Sequence, residues 1–336
     1  MVKPMGVAAS ERDLAVVREG LTRWLRAHHG DERLTVAPLT RPAAGLSSDT
    51  LFVDVSSGES LVARLPPAGG GIFPTYDLAM QARLQTELPA AGIPTVVPVA
   101  YEEDEAWVGS PFLLMPRVPG EVLVDNPPYA RTGWLHDAGE DAQRRLYEGF
   151  LDQLAAIHAV TTVQPAPAEG ARLDWWRDYL DWAGGGSPEP ALVAVVAWLD
   201  AHRPEPQPAA GMLWGDVRLG NVIFGENLRP AAILDWEMAT AGPAEVDLGW
   251  FFAMREMMVA PGRVELPGFL DKAASVGRYE RALGRQIRDL EWYEVFALLR
   301  STAILCRMQG MLIAQGQTDH WLVGFDPVPP RLRQLA

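Results

Sequence analysis

Apolar residues recur along this chain with two distinct spacings, and the change from one to the other divides it. In residues 11–28, Leu14, Val17, Leu21, Trp24 and Leu25 fall three to four apart, which predicts an amphipathic opening helix. "LFVDVSSGESLVARL" (51–65) instead predicts a hairpin of β-rich arms around Ser57-Gly58. A loop follows at 66–71, then a helix over 76–89 that Pro89 should end. The β-rich "TVVPVAYE" and "WVGSPFLLMPRV" come next, the second running into the hinge-like "MPRVPGE" at 115–121.

Beyond residue 121 helical spacing takes over. Leu146, Phe150, Leu151, Leu154 and Ile157 form one stripe over 140–160, and the chain after 245 reads as mostly helical. His158 lies on the first of these helices and reads as a packed core histidine, because no second His or Cys stands at metal-ligand spacing. The Met and aromatic stripes from Trp250 onward read as packing. Together these patterns predict an α+β chain with two lobes: 1–118, a small sheet with one internal helix, and 119–336, larger and mainly helical.

One stretch breaks the apolar logic. In "MLWGDVRLGNVIF" (212–224), short buried strands are expected on either side of a turn that carries Asp216, Arg218 and Asn221. Such groups are costly to bury unless paired. A second apolar strand, Ala231 to Leu234, ends at Asp235. Two strand ends therefore deliver Asp216, Asn221 and Asp235, all oxygen donors. Magnesium takes one or two carboxylates and keeps water and phosphate as its remaining ligands. Asn221 with Asp235 suits Mg²⁺, which leaves Asp216 to take a hydroxyl proton, as phosphoryl transfer requires. The competing reading is a pair of ordinary polar turns. Arg218 suits the charge of a transferring phosphate, or equally an ion pair with a neighbouring acid.

The run "WGDVRLGN…ILDWE…GPAEVDLGW" resembles the catalytic core of the aminoglycoside phosphotransferase and choline-kinase-like family, which has the protein-kinase fold. It resembles most the branch related to the kinase-like domain fused to some acyl-CoA dehydrogenases. The resemblance implies Asp216 as base, Asn221 and Asp235 as Mg²⁺ ligands, and Asp247 as the buried aspartate that braces the catalytic loop. Trp214 stands where the family usually has histidine, with an architectural role implied. "AGLSSDTLFV" resembles the nucleotide-covering loop, with Gly45, Ser47 and Ser48 as phosphate contacts. Arg64 occupies the place of the phosphate-binding lysine; the chain has only Lys3 and Lys272. Gln81 replaces that lysine's glutamate partner, so an ion pair is replaced by an amide. The backbone of Leu114, Met115, Pro116, Arg117 and Val118 is implied to meet the adenine edge. The implied phosphate donor is ATP, with GTP as an alternative.

The acceptor is less legible. "LDWWRDYLDW" puts Asp174 and Asp178 on one helical face with Trp175 beside them, and Glu237 follows the metal strand. These could grip a cationic amine, although acids outside and aromatics inside is also the ordinary amphipathic pattern. The acyl-CoA dehydrogenase branch suggests a hydroxyacyl thioester instead. A nucleotide-binding chain with little catalysis is the alternative raised by Arg64 and Gln81. A protein kinase is disfavoured by the short span between Glu237 and Asp247.

The bulk properties narrow the partners. At 336 residues with 48% hydrophobic and 21% charged, the composition is that of an ordinary globular protein. The net charge of −14 argues against a nucleic-acid binder. Cys306 is the only cysteine, which excludes an internal disulfide and a multi-cysteine zinc site. The start of the chain lacks the apolar core of a secretory signal, and the apolar run at 192–199 is too short to span a bilayer, so a cytoplasmic location without membrane partners is expected. Oligomeric state is not legible.

Overall fold

The computed structural model describes residues 12–42, 47–125, 127–164, 167–206, 208–259 and 265–336. The fold is α+β with two lobes, corresponding to two compact units. The first takes in the described residues up to Thr86 and Val96–Pro119, and the second takes in Glu87–Thr95 and Gly120–Ala336.

The first unit opens with α1 (Leu14–His29), where the Asp13 side chain accepts from the Ala15 N–H and Gly30 closes the helix in the left-handed region. The hairpin follows as β1 (Asp49–Asp54) and β2 (Ser60–Leu65), paired antiparallel from Asp49–Leu65 to Asp54–Ser60. After α2 (Leu78–Glu87) come β3 (Ala100–Glu102) and β4 (Phe112–Pro116), giving a four-stranded sheet ordered β1-β2-β4-β3. Its core joins Val17, Leu21, Trp24 and Leu25 of α1 to Leu51, Val53, Ala63, Leu65, Phe112 and Leu114 of the strands.

Three expectations shift here. The chain coils on past Pro89 in a one-turn 3-10 helix, Leu88–Ala91, because proline is tolerated in a first helical turn. Only residues 100–102 of the first β-rich segment and 112–116 of the second are strand, since each strand extends only as far as its ladder partner does.

The second unit contains β5 (Glu121–Val122), α3 (Trp134–Asp137), α4 (Glu140–His158), α5 (Leu173–Ala183) and α6 (Pro190–Ala201). It continues with β6 (Ala210–Leu213), β7 (Val222–Phe224), β8 (Pro230–Ile233) and β9 (Thr240–Pro243). Helices α7 (Ala244–Val259), α8 (Lys272–Leu283), α9 (Leu290–Ala314) and α10 (Pro330–Arg333) complete it. The strands flanking the polar turn do not pair with each other. β6 pairs with β9, whereas β7 lies between β5 and β8. A 3-10 turn at Leu219–Asn221 redirects the chain from one sheet to the other.

By length and composition α9 could cross a membrane, although 56% of its most apolar 18-residue window is buried in the protein. It packs against α5, α6 and α7 and buries Glu294, Arg300 and Thr302, so it serves as the core helix of this unit.

Candidate active site

Strand β6 delivers the chain to Trp214 and Gly215, whose backbone N–H groups donate to the Asp247 carboxylate at 2.7 and 3.1 Å. Gly215 has φ 95°, and a Cβ there would lie 2.1 Å from the Met238 carbonyl oxygen, so the turn accepts only glycine. Val217 and Leu219 point into the core, while Asp216 and Arg218, the alternate positions, stay partly accessible.

Asp216 is held from three directions. The Trp250 indole N–H donates to its Oδ1 at 3.0 Å, Asn221 Nδ2 to its Oδ2 at 2.8 Å, and Arg218 Nε reaches both oxygens at 3.2 and 3.1 Å. Asn221 Nδ2 also donates to the Asp216 backbone carbonyl at 3.0 Å, which closes the loop on itself. The other Arg218 nitrogens donate to Asp125 at 2.9 Å and to Asn221 Oδ1 at 3.3 Å. The charge of Asp216 foremost, then those of Asp125 and Asp235, raise the guanidinium's pKa against the opposing effect of burial. Arg218 therefore takes the ion-pair geometry in this structure.

Asp235 lies beside Asn221 because β7 and β8 pair Val222 with Ile233, and the Leu234 N–H donates to the Asn221 carbonyl at 2.9 Å. Its backbone is left-handed, φ 58°, a conformation that costs a non-glycine residue about 1 kcal/mol and that aspartate tolerates better than most. The Asn221 amide oxygen and the Asp235 carboxylate are hard oxygen donors of the kind magnesium takes together with phosphate and water. Among the described residues no cluster of three or more His, Cys, Asp or Glu is arranged to hold a metal. The donor set thus fits an ion completed by a bound phosphate better than a structural metal.

Asp247, fully buried, supports the loop from the first turn of α7. Besides the two backbone donors it accepts from His158 Nε2 at 3.0 Å. The remaining His158 nitrogen, Nδ1, pairs with the Tyr279 hydroxyl. Burial first, and then the Asp247 charge, raise the Tyr279 pKa, so this hydroxyl keeps its proton and donates. Trp214 is itself buried, and its indole N–H donates to the Leu234 carbonyl at 2.8 Å, which ties the loop to the residue before Asp235.

The residues read as acceptor contacts lie on α5 and in the turn after Asp235. Asp174, half exposed, is in ion pairs with Arg177 at 3.2 Å, Arg172 at 3.7 Å and Arg203 at 4.0 Å. Asp178 is exposed on the same helix, and Trp175 stacks on Tyr179 at 5.5 Å. Glu237 lies in the 3-10 turn Trp236–Met238 after Asp235 and is half-buried.

In the first unit, Arg64 sits on β2 opposite Thr50 and Leu113. Gln81 is buried on α2, with an Nε2 that has no hydrogen-bond partner among the described residues. Ser47 and Ser48 lie just before β1, whereas Gly45 falls outside the described residues. In the 114–118 stretch, Leu114, Met115 and Pro116 belong to the β2–β4 ladder; beyond the ladder itself the Leu114 carbonyl accepts from Val99 and the Arg117 N–H donates to Ser60. The Arg117 guanidinium stacks over Phe52 at 4.3 Å. The Arg117 backbone N–H faces β2, so alternation of the backbone groups along the strand turns the Pro116 carbonyl to the opposite side.

Three residues of this arrangement, His158, Trp250 and Asp125, escape sequence reading, as does Arg300 of α9, whose guanidinium lies 4.7 Å from the centre of the Trp250 ring. His158 and Trp250 sit in apolar stripes and read as packing, and only their long-range partners reveal the polar edges. Arg300, in "VFALLRSTAI", carried a visible signal: a lone cation in the middle of an apolar helical run.

The family described as "Phosphotransferase enzyme family" matches residues 38–292. Acyl-CoA dehydrogenase family member 11 of Pongo abelii is 26% identical over 267 residues, which covers 73% of this chain and 32% of that protein. Family member 10 of Mus musculus is 26% identical over 249 residues, covering 71% and 22%. The chain therefore spans about a third or less of these curated relatives. Among solved structures, a Ralstonia eutropha protein provisionally assigned as an aminoglycoside phosphotransferase aligns with TM-score 0.70 and 24% identity, covering 94% of this chain and 95% of the other. A thermostable mutant of aminoglycoside phosphotransferase APH(4)-Ia, in ternary complex with ADP and hygromycin B, aligns with TM-score 0.57 and 15% identity, covering 94% of this chain and 99% of the other.

Proposed function

The chain belongs to the phosphotransferase enzyme family, and from that premise we propose that it moves the γ-phosphate of ATP, with magnesium, to a hydroxyl of a small molecule. The observation that carries the reading is the Asp216 carboxylate, fixed by Trp250, Asn221 and Arg218 at the end of a loop that also presents Asn221 beside Asp235. Phosphoryl transfer asks little covalent chemistry of a protein; it asks for placement and for charge where charge develops. Asp216 orients the acceptor hydroxyl and accepts its proton as the oxygen attacks phosphorus. Asn221 and Asp235 would hold the magnesium, which supplies charge neutralisation on the phosphates when bound. Arg218 keeps the Asp216 carboxylate in one orientation while its own charge faces the same space. In the first unit, Ser47, Ser48 and Arg64 are the proposed phosphate contacts, and the Pro116 carbonyl is a candidate for the adenine edge.

ATP is the first donor to test and GTP the second, since solved relatives include an ADP complex and a GDP complex. A second reading concerns the acceptor. The charge of Asp174 is already balanced by three arginines, which weakens a polycation-binding role for α5. The sequence relatives are acyl-CoA dehydrogenase family members, which favours a hydroxyacyl thioester over an aminoglycoside.

The test is transfer of labelled γ-phosphate from ATP into aminoglycosides, simpler amino-alcohols and hydroxyacyl-CoAs, with Asp216→Asn alongside. Loss of the proton acceptor is expected to lower turnover at least about a hundredfold. Undiminished turnover by folded Asp216→Asn refutes the assignment.

A further inference from the structure

Arg300 is a buried cation that no carboxylate contacts among the described residues. It is 1% exposed in the middle of α9, and among the described residues its Nε and Nη1 have no hydrogen-bond partner. No described carboxylate lies within 4.0 Å of its guanidinium. Three aromatic faces surround it instead: Trp250 at 4.7 Å, Trp176 at 5.2 Å and Phe296 at 5.5 Å. Cation–π attraction recovers only part of the hydration such a group gives up. Burial pushes its pKa down to about 10, with the charges of Asp247 and Asp216 pulling the other way. A packing role alone would be better filled by methionine or leucine.

Trp250 connects this cation to the site. Helices α7 and α9 run in the same direction: Gly249 lies against the backbone of Tyr293, and eight residues further along each helix Ser301 Oγ lies 3.5 Å from Met257 Sδ. A long helical side chain leans toward its helix N-terminus, so Arg300 reaches back over the Trp250 ring. The indole thus has the guanidinium on its face, while its N–H donates to Asp216 Oδ1 at 3.0 Å. A cation on the ring face draws electron density from the π system and makes the N–H a stronger donor, as happens along polarised hydrogen-bond chains.

We propose that Trp250 and Arg300 form a positioning pair for Asp216, in which the indole N–H fixes the carboxylate and the buried guanidinium strengthens that hydrogen bond. The proposal rests on the reading of Asp216 as the proton acceptor. It explains why a buried cation with no carboxylate in contact among the described residues persists in the centre of the core helix, and it makes a prediction opposite to that of a structural role. Exchange of a buried charge that no carboxylate contacts for an apolar side chain removes its desolvation cost and gives up only the weaker attraction of the more distant Asp247 and Asp216. Arg300→Met should therefore keep or raise the melting temperature while impairing the site.

The experiment is ¹⁵N–¹H spectroscopy of the tryptophan indoles in the full chain, with the Trp250 resonance assigned from its loss in Trp250→Phe. In Arg300→Met the resonance is expected to move upfield by more than its line width, and Arg300→Lys should keep it nearer the wild-type position. Release of γ-phosphate from Mg-ATP, with water as acceptor, is expected to fall roughly tenfold in kcat in Arg300→Met and in Trp250→Phe. KM for ATP should stay within about twofold, because the pair acts on the acceptor side of the transfer. An unmoved Trp250 resonance in folded Arg300→Met overturns the proposal, as does a kcat loss that appears only with a lowered melting temperature. Asp216→Asn separates the two readings. If that variant hydrolyses ATP normally, the base assignment fails; if it is impaired while the Trp250 resonance ignores Arg300, only the positioning pair fails.

Discussion

Asp247→Asn tests the support beneath the loop with almost no change of shape. The carboxylate is fully buried, and its two oxygens divide three donors. Oδ2 takes the Trp214 N–H at 2.7 Å and His158 Nε2 at 3.0 Å, and Oδ1 takes the Gly215 N–H at 3.1 Å. An asparagine offers one oxygen. Placed to keep Trp214 and His158, it turns its NH₂ toward the Gly215 N–H and leaves that donor only its 3.3 Å approach to the Oδ2 position, and the opposite flip sets the NH₂ against two donors. At least one buried backbone N–H is therefore left with a longer bond while facing an NH₂, and the surviving bonds lose their charge-assisted character. Losses of about 1.5–3 kcal/mol for each bond to a charged group, reduced by the relief of burying no charge, leave a net destabilisation of about 3 kcal/mol. For a unit of this size that lowers Tm by about 6–12 °C. Scanning calorimetry of wild type and variant at one pH reads it directly. Displacement of Gly215 also moves Asp216 off the acceptor, so kcat should fall at least about tenfold. A variant that melts within about 2 °C of wild type refutes the brace, since the loss of charge assistance from three buried bonds costs more than that.

Two further outcomes follow from the geometry. Asp235→Asn leaves the β7–β8 pairing untouched but replaces a carboxylate with an amide, so the magnesium concentration for half-maximal transfer should rise about tenfold or more, and saturation at the wild-type concentration would remove Asp235 from the metal site. Burial raises the Cys306 pKa to about 11, so below that pH the side chain is mostly thiol and iodoacetamide at pH 8 should modify it far more slowly in the folded chain than in denaturant; equal rates would contradict its placement.

Much of the fold was legible because burial leaves a local record. The stripe Val17-Leu21-Trp24-Leu25 gave α1, Ser57-Gly58 between β-rich arms gave the first hairpin, and the stripe through Leu146 and Leu154 gave α4. The partners of a buried element leave no such record. Residues 212–224 read as two strands across a turn, yet β6 pairs with β9 and β7 with β5 and β8, because sheet pairing is decided by distant segments. In the site, the polar trio Asp216, Arg218 and Asn221 stood out against apolar flanks, and the structure joins them by hydrogen bonds. The choice for Arg218 between phosphate and ion pair could not be made from sequence, since Asp125 lies 93 residues away. Asp174 shows the same limit: Arg177 is visible at the next helical turn, but Arg203 arrives from the end of another helix.

Helix α7 sets the geometry of the loop from outside it. Asp247 and Trp250 are one turn apart on the same face, and the first takes the backbone donors at the head of the loop while the second takes its carboxylate. Two points of the loop are thus pinned to one rigid rod, so their separation is set by helical pitch and not by the conformational preferences of residues 214–221. A loop held this way need not be stiff by itself. Selection acting on its geometry would therefore weigh on the helix as heavily as on the loop, and sequence drift would be freest at loop positions that neither residue touches.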